Sequence, residues 1–348
     1  MEHVAIDLGS RKSQICVRDS AGNILEEKRC DTSELTEYLA KRPRSRVVVE
    51  TCAEAFRVAD AARAHGHEAR VVSATLVRTL GIGARRNKTD RRDAQVLSEV
   101  SCRIDLPSVH IPSSQARERK TVCGMREALV GARTKVINTV RGWLRGQGKR
   151  PRPGSTSTFV DRVRAVFGEE ELPIYVERQL RAAEKLTEEI DEADKDVEQQ
   201  AREDETCRRL MSVPGVGAVT AVRFVAALDQ VERFESAHHV ESYLGLVPGE
   251  SSSSERQQRL SITKAGPTKL RWVLVQAAWA LRTRCRTPAA LPLQLWAHQV
   301  EQRRGKRTAT VALARKLAGI LYAIWRDGTE YQAARGAKMP SNLTDPSS

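Results

Sequence analysis

The sequence predicts an α/β domain at the N-terminus, followed by a helical connection and a mainly α-helical C-terminal domain. Two observations predict this division. Within the first hundred residues, short apolar runs with period-2 alternation separate helical stretches, which is typical of an α/β domain. From Lys88 onward, long stretches lack this β-branched alternation. The 348 residues are enough for about two domains of ordinary size with a substantial buried core.

Three strands joined by short turns are predicted at the start of the chain. Residues 4–9 form a short apolar strand that ends in a turn, and residues 13–19 alternate as a half-buried strand does. Ala21-Gly22-Asn23 marks the turn to a third strand at residues 24–28.

Two further strands are predicted at positions separated by helices. Thr32 or Ser33 can cap a first helix, after which residues 46–50 form an apolar run suited to a central strand. Residues 53–65 have a helical pattern, and residues 68–73 form a fifth strand. Three hairpin-linked strands followed by two strands joined by helices predict a mixed sheet with helices on its faces. This is the strand order of an RNase H or RuvC-like nuclease fold.

The connection combines a basic linker with an acidic helix. Residues 145–155 are basic and rich in Pro, Gly and Ser, whereas residues 168–206 hold 15 acidic and 5 basic residues. Apolar residues recur in the acidic segment at spacings of three and four, which favours a coiled coil or a long helical hairpin. The alternative is one amphipathic helix packed on its own chain. The apolar positions are Val176, Leu180, Ala183, Leu186, Ile190, Ala193, Val197 and Ala201.

The C-terminal domain opens with Pro-Gly-Val-Gly between apolar residues, which is the pattern of a helix-hairpin-helix. Gly215 and Gly217 would let backbone amides approach a phosphate at a helix N-terminus, giving contact without base readout. The alternative is a tight helix–helix turn without a role in nucleic-acid binding. A Ser-rich loop follows, with helices near residues 268–283 and 308–325. The predicted domains are 1–110 (α/β), 111–206 (helical linker and acidic coiled coil), 207–335 (C-terminal domain) and 336–348 (disordered tail).

The chain is strongly basic. Its 58 Lys and Arg against 44 Asp and Glu give a net charge of +14, and the 53 basic and 29 acidic residues outside the acidic segment give +24. This favours a polyanionic partner, with nucleic acid as the first candidate.

No apolar run reaches the roughly 18 residues of a membrane helix, so a transmembrane protein is excluded. The start lacks the layout of a secretory signal, and we expect cytoplasmic residence. Seven scattered cysteines without a C-x-x-C pattern argue against a disulfide framework and a zinc finger.

Four carboxylates are candidates for one metal site. Asp7 lies in the first strand and Glu50 at the end of the central strand, so neighbouring strands can bring them together. Asp90 and Asp93 are three residues apart and share one face of the helix that begins there. Four carboxylates at one point repel unless hard cations neutralise them, which is the arrangement for two Mg²⁺ ions roughly 4 Å apart on a phosphodiester. The alternative for Asp90 and Asp93 is a solvated helix face.

Five segments together resemble one family. They are the strand motif AIDLGS, the strand end VVVET, the helix start NKTDRRDA, the PGVG hairpin and the distal stretch GLVPGESSSSERQQRLSITKAGPTKLRW. They are similar to the DEDD insertion-sequence transposases and their Piv-type DNA invertase relatives over nearly the whole chain. The resemblance implies a RuvC-like N-terminal domain, a coiled-coil connection and a C-terminal transposase domain with a nucleophilic serine. It also matches Asp7, Glu50, Asp90 and Asp93 to the family's DEDD tetrad, with Mg²⁺ as the metal.

The resemblance further implies what the protein acts on. Family members are recombinases directed by a structured non-coding RNA, the bridge RNA, which is encoded beside the gene and pairs separately with target and donor DNA. We therefore expect double-stranded target and donor DNA and a guide RNA as partners, no membrane, and association with the bacterial nucleoid. Strand exchange joins two DNAs, so we expect a homodimer, or a homotetramer on DNA, with Leu180, Leu186 and Ile190 in a contact between protomers.

The nucleophilic serine is placed by alignment to the family. Members commonly show Ser-Gly a few residues after Gly-Leu-x-Pro, and alignment without gaps between GLVP and TKAG puts the serine at Ser253. Ser254 replaces the usual glycine, so Ser252 remains an alternative, and a four-serine run by itself is typical of a flexible loop. A serine that attacks a phosphodiester stores the bond energy in a phosphoserine, so strands can be rejoined without ATP. Because Ser253 and Asp93 are predicted in separate domains, we expect them to act in a composite site.

Basic residues and glycines near these motifs are candidates for phosphate contacts. They are Lys88, Arg91, Arg92, Gly215, Gly217, Arg256, Lys264 and Arg271. Since aromatic residues make up only 4% of the chain, shape and phosphate contact should dominate over base stacking. Two other functions remain open: a RuvC-like structure-specific nuclease that activates water, and a nucleic-acid-binding scaffold with a decayed site. The presence of all four acids argues against the scaffold.

Overall fold

The computed structural model describes residues 1–79, 89–168, 170–253 and 256–333, with backbone alone for Arg78 and for residues 251–253 and 256–259. The chain divides into two compact units, one spanning Met1–Pro112 and a second that begins at Ser113. Lys88 and the predicted tail at 336–348 lie outside the described residues.

The strands of the first unit carry the apolar alternation that the sequence indicates. They are β1 (Glu2–Asp7), β2 (Lys12–Arg18), β3 (Ile24–Asp31), β4 (Ser45–Glu50) and β5 (Glu68–Val72). Within residues 1–79 and 89–112 they form one sheet in the order β3-β2-β1-β4-β5. β1 pairs antiparallel with β2, and β2 antiparallel with β3, whereas β1 pairs parallel with β4, and β4 parallel with β5. The prediction of a mixed sheet in an α/β domain is confirmed.

Helices cover both faces of this sheet. They are α1 (Leu35–Ala40), α2 (Ala55–Ala64), α3 (Ala74–Thr79) and α4 (Asp90–Arg103). Val4 and Ile6 of β1 are buried in a core that includes α1 and α2, whereas Ala5 between them is buried in a second core with Leu97 of α4. Successive strand residues point to opposite faces, so α4 covers the face that carries Ala5.

Two long helices of the second unit pack side by side in opposite directions. They are α5 (Ser114–Gly146) and α7 (Ile174–Glu203), with the shorter α6 (Phe159–Phe167) between them in the chain. Arg126 of α5 pairs with Asp194 of α7, and Arg119, earlier in α5, pairs with Asp204 at the end of α7. Residue numbers therefore rise along α5 as they fall along α7, and the pair is an antiparallel helical hairpin.

The apolar seam of the acidic segment is buried within the chain itself. Leu180 and Ile190 of α7 are 0% and 2% exposed, and Leu186 is half-buried. Leu180 packs with Ile137, Val140 and Leu144 of α5 in one core cluster. The prediction that Leu180 and Ile190 lie in a contact between protomers is therefore wrong, because their apolar surface is already covered by the helical hairpin.

The rest of the second unit is a helical bundle that carries a strand pair. Its helices are α8 (Glu205–Met211), α9 (Ala218–Leu228), α10 (Ala237–Tyr243), α11 (Thr268–Thr283), α12 (Leu291–Arg304) and α13 (Lys306–Asp327). The two helices predicted near residues 268–283 and 308–325 are confirmed as α11 and α13. No helix in the described part of the chain is long and apolar enough to cross a membrane.

The segment predicted as a Ser-rich loop is instead a strand pair. β6 (Pro248–Ser253) runs antiparallel to β7 (Arg256–Ile262). A run of serines carries no alternation of apolar and polar residues, which is the local signal for a strand. The strands form because β6 and β7 pair with each other, and a local pattern of apolar and polar residues does not report this pairing.

Candidate active site

Asp7 and Glu50 end neighbouring parallel strands. Asp7 is the last residue of β1 and Glu50 the last of β4, and the register pairs Ile6 with Val49 immediately before them. Neighbouring strands lie about 4.8 Å apart. The two carboxylates therefore leave the sheet side by side at its carboxyl edge.

Both carboxylates lie on the sheet face that α4 covers. Ala5 and Val48 are buried on this face against α4. Asp7 and Glu50 each follow one of them by two residues, so strand alternation gives them the same face. Both side chains are half-buried.

α4 crosses this face antiparallel to β1. Near the end of the helix, the Ser101 hydroxyl lies 2.8 Å from Nδ1 of His3, at the start of the strand. One turn earlier, Ser98 Oγ lies 3.2 Å from Sγ of Cys16, which pairs with Ala5 in the sheet. Burial lowers the pKa of His3, so the neutral imidazole is the form that meets the serine. These contacts fix the direction and the level of the helix.

The start of α4 consequently reaches the edge where β1 ends. From Ser98 back to Asp93 the helix rises about 7.5 Å, and from Ala5 to Asp7 the strand rises about 6.6 Å. Asp93 therefore comes level with Asp7, and Asp90 lies nearly one turn further on. The two helical acids are brought to the same edge and face as the two strand acids.

The first turn of α4 is stabilised locally. The Thr89 hydroxyl caps the helix by accepting a hydrogen bond from the backbone amide of Arg92, at 3.4 Å. Asp90 and Asp93 lie in the first turn, where the helix dipole favours negative charge. Helix stability alone can therefore explain acidic residues at these two positions. Their place beside Asp7 and Glu50 at the sheet edge is what indicates a metal-binding role.

An ion pair anchors the start of α4 to the sheet. Arg91 and Gln95 both donate to the carboxylate of Glu27 in β3. The hydrogen bond from the Arg91 guanidinium holds the pKa of Glu27 below its usual value. Arg91 was predicted to contact nucleic acid, and in the structure its guanidinium also ties the start of α4 to β3.

The residue types at this edge fit a divalent cation. Carboxylate oxygens are the ligands that Mg²⁺ prefers. In the parts of the chain that the structure describes, three or more His, Cys, Asp or Glu side chains are nowhere gathered at metal-binding distances. The four acids thus share an edge and a face without being drawn into one ligand sphere.

In the second unit, the GLVP and TKAG motifs meet where two backbone segments cross. Gly245 and Gly266 both have left-handed φ, +64° and +67°. A Cβ on Gly245 would lie 2.4 Å from the backbone N and O of Ala265, and one on Gly266 would lie 1.9 Å from the carbonyl O of Tyr243. The Lys264 amide donates to the Gly245 carbonyl at 3.1 Å. We call this contact the glycine crossing; it holds the base of the β6–β7 strand pair.

Gly266→Ala is expected to prevent stable folding of the second unit. The added methyl would overlap a backbone carbonyl, which cannot rotate away as a side chain can, so we expect a loss of more than about 3 kcal/mol in the free energy of unfolding. Gly148→Ala is the matched control, because Gly148 has nearly the same left-handed φ (+68°) but open space around it. It should lose only about 1–2 kcal/mol. Urea unfolding measures both, and equal losses would contradict the steric role of the crossing.

Arg271 ties the glycine crossing to α11. Its side chain is buried (8% exposed), and its guanidinium donates to the carbonyls of Leu244 at 2.9 Å and Ala265 at 2.6 Å. A third bond goes to Thr268 Oγ1 at 3.2 Å. Arg271 was predicted to contact nucleic acid, and the structure instead gives its guanidinium three partners inside the domain.

Ser253 is the last residue of β6. In the strand register it faces Arg256 of β7, and Ser252 faces Gln257. Because Ser253 pairs with the first residue of β7, it stands at the tip of the strand pair. The side chains of Ser252, Ser253 and Arg256 lie outside what the structure describes, and so does Ser254.

The PGVG segment forms a tight turn between α8 and α9. Gly215 has a φ of +84°, and a Cβ there would lie 2.8 Å from the Ala277 carbonyl and 2.9 Å from Leu281 Cβ of α11. Gly215 is therefore needed for close helix packing. Gly217 is exposed at the N-terminus of α9, with open space around its Cα. Gly217 therefore has the access that a phosphate contact requires.

The remaining basic candidates differ in access. Arg92 and Lys264 are exposed. Lys264 also has a left-handed φ of +56°, which is uncommon for a residue with a side chain. Lys88 lies outside the described residues. Sequence reasoning missed Glu27, because its partners Arg91 and Gln95 lie more than sixty residues away along the chain. It also missed the structural role of Arg271, whose carbonyl partners are brought together by the glycine crossing.

Comparison with known proteins connects both units to one family. Residues 4–147 match the model of the IS110-type DEDD transposases, and residues 207–293 match the model described as the IS116/IS110/IS902 transposase family. A transposase for insertion sequence element IS1328 of Yersinia enterocolitica is 30% identical over 335 residues, which covers 94% of this chain and 98% of that relative. The chain belongs to the IS110/IS116 family of DEDD transposases. It is an insertion-sequence transposase, as the sequence motifs indicated.

Other relatives of this transposase agree. The transposase for IS1111A of Coxiella burnetii is 28% identical over 328 residues, covering 92% of this chain and 88% of the relative. The pilin gene-inverting protein of Moraxella bovis is 31% identical over 124 residues, or 35% of this chain and 37% of that protein. The predicted resemblance to transposases and invertases is confirmed.

Proposed function

We propose that this transposase cuts and rejoins target and donor DNA through a phosphoserine on Ser253, assisted by Mg²⁺ on the four carboxylates and directed by a structured guide RNA. The observation that carries the proposal is the acidic sheet edge. Asp7 and Glu50 end neighbouring strands on the face that α4 covers, and α4 begins at that edge with Asp90 and Asp93. The strand order supports a RuvC-like fold for this domain.

Ser253 supplies the nucleophile. Its hydroxyl oxygen attacks the phosphorus of a DNA phosphodiester and loses its proton, while the bond from phosphorus to one sugar oxygen breaks. That oxygen takes up a proton and leaves as a sugar hydroxyl, and the phosphate stays on the serine. A sugar hydroxyl of the new partner strand then attacks the phosphoserine and releases Ser253. Each step exchanges one phosphoester bond for another, so ATP is not needed.

The four carboxylates would hold the metal ions from rigid elements. Asp7 and Glu50 are fixed by paired strands, and Asp90 and Asp93 by a helix that is capped by Thr89 and anchored to β3. Mg²⁺ at this edge would stabilise charge on the phosphate and lower the pKa of an attacking hydroxyl. Rigid placement of ligands matters because a metal site tolerates little displacement of its donors.

The nucleic-acid contacts proposed here are contacts to phosphate. Gly217 at the start of α9 would bring backbone amides to a phosphate, as in a helix-hairpin-helix, and exposed Arg92 and Lys264 carry charge suited to the same partner. Because strand exchange acts on two DNAs, at least two protomers take part. Since Leu180 and Ile190 are buried within the chain, assembly uses another surface.

Recombination is expected to depend on RNA. The charge of +24 outside the acidic segment favours phosphate, while few aromatic side chains are available to read bases, so base recognition falls to a paired RNA. Purified protein should carry RNA transcribed from its element, and complete ribonuclease digestion should reduce recombination to background, with heat-inactivated ribonuclease as the control. Adding the element's RNA back should restore it. Undiminished recombination after digestion would contradict guidance by RNA.

A structure-specific nuclease that activates water is the second candidate. The four carboxylates lie in the first unit and the serine in the second, and metal-bound water would need only the first set. A denaturing gel separates the two functions. A serine enzyme leaves protein attached to DNA, whereas a water-using nuclease releases free 5′-phosphate ends and no adduct.

A further inference from the structure

A basic cleft of about 610 Å³ lies within the second unit, between the end of α5, the linker that follows it and the start of α6. We call it the linker cleft. Its cationic lining residues are Arg141, Arg145, Lys149, Arg150, Arg152 and Arg162. None of the residues that line it in the described chain is acidic. A pocket of this size lies within the usual range for ligand sites, roughly 300–1,000 Å³.

The charges of the linker cleft are left largely unneutralised. Among its cations, Lys149 pairs with Glu170. In the described part of the chain, no carboxylate lies within ion-pair distance of the exposed Arg145, Arg150 or Arg152. Clustered like charges repel one another, and a polyanion that enters the cleft removes this repulsion.

The cleft is also held in shape before any ligand binds. Arg162 of α6 donates to the carbonyl of Arg152 and, at 2.5 Å, to the carbonyl of Ser155, which ties the linker to the helix. The guanidinium groups of Arg141 and Arg162 lie 5.3 and 5.9 Å from the centre of the Phe159 ring. A Cβ on Gly154 would come within 2.8 Å of Arg162 Nε, so the linker passes close against this arginine.

The lining indicates which part of a ligand is bound. Phe159 is 1% exposed and covered by the two arginines, so its ring offers no stacking platform to a base. The accessible groups are guanidinium groups, which bind phosphate oxygens with paired hydrogen bonds. Several such groups in one cleft suit consecutive phosphates better than one isolated anion.

We propose that the linker cleft binds the phosphodiester backbone of a nucleic acid, independently of base sequence. The site uses residues outside those assigned to the reaction and requires neither the serine nor the metal. RNA and DNA share the chemistry that the cleft recognises, and direct binding measurements distinguish them.

The test compares two double variants of the full chain. Arg150→Ala with Arg152→Ala removes two exposed charges from the cleft, while Arg162 is left in place because it holds the linker. Arg178→Ala with Arg181→Ala is the matched control, since it removes two exposed arginines of α7 that do not line the cleft. Fluorescence anisotropy with labelled single-stranded RNA, single-stranded DNA and duplex DNA, at several salt concentrations, gives the affinity of each protein.

The cleft variant is expected to bind at least one probe about tenfold more weakly at 0.1 M salt, with the slope of log affinity against log salt reduced by about 1 to 2. The control should match the unmodified protein. Loss confined to the RNA probe identifies RNA as the ligand, and loss confined to a DNA probe identifies DNA. Equal affinities for all three proteins, or an equal loss in the control, would overturn the cleft as a site. None of these outcomes tests the proposed roles of Ser253 or of the four carboxylates, because the experiment does not measure strand joining.

Discussion

Ser253→Ala is expected to abolish the covalent protein–DNA adduct and to lower strand joining by roughly three orders of magnitude or more. The substitution removes the oxygen that attacks phosphorus, and we expect the tip of the β6–β7 pair to bring only this one of the four serine hydroxyls to the phosphate. Fold and DNA binding should be unchanged, because the glycine crossing and Arg271 hold the base of this pair without using Ser253. Adduct formation on a denaturing gel and binding by anisotropy measure the two effects separately.

Ser251→Ala and Ser252→Ala are the matched controls for this variant. Each removes one hydroxyl from the same strand, and both proteins should form the adduct at the unmodified level. If Ser252→Ala loses the adduct while Ser253→Ala retains it, the alignment is off by one residue, because Ser254 occupies the usual glycine position. If all three variants form the adduct, the serine mechanism is wrong for this chain.

Asp90→Asn is expected to abolish recombination while leaving the fold intact. It removes a carboxylate charge with little change in volume, and Asp90 is exposed at the first turn of α4. Asp7→Asn should have the same effect from the strand side of the edge. Both variants should also bind Mn²⁺ or Mg²⁺ more weakly by calorimetry, which a purely structural role would not cause.

Glu99→Gln is the control for Asp90→Asn. Glu99 lies on the same helix, nine residues beyond Asp90, and pairs with Arg103 near the other end of α4. It should retain recombination and metal affinity. Full activity in both Asp90→Asn and Asp7→Asn would rule out a metal site shared by these carboxylates.

The sheet could be predicted from sequence because its signals are local. The alternation in residues 13–19 indicates a strand buried on one face, and the apolar run at 46–50 indicates a strand buried on both. The structure has strands there with nearly the same bounds. The placement of Asp7 and Glu50 at strand ends followed directly. Their shared face also follows from strand alternation, once Ala5 and Val48 are known to face α4.

Features that depend on distant partners could not be predicted in this way. The level of α4 against β1 is set by contacts of His3 and Cys16 with serines more than eighty residues away. The apolar seam around Leu180 has the same pattern whether it meets a second protomer or the chain's own α5, and only the structure distinguishes these cases. The position of Arg271 within a basic motif suggested phosphate, whereas its burial beneath the glycine crossing gives it carbonyl partners.

The most direct test of the account is to locate the phosphate on the protein. A donor DNA whose cut strand is short enough to diffuse away would trap the covalent intermediate, and nuclease followed by trypsin would release the peptide of residues 234–256, which holds all four serines of the run. Fragmentation in a mass spectrometer then assigns the modified residue. The account predicts a phosphate-linked nucleotide on Ser253, present with Mg²⁺ and absent when the metal is chelated. An unmodified peptide from a reaction that joins strands, or a nucleotide on any other residue, would contradict it.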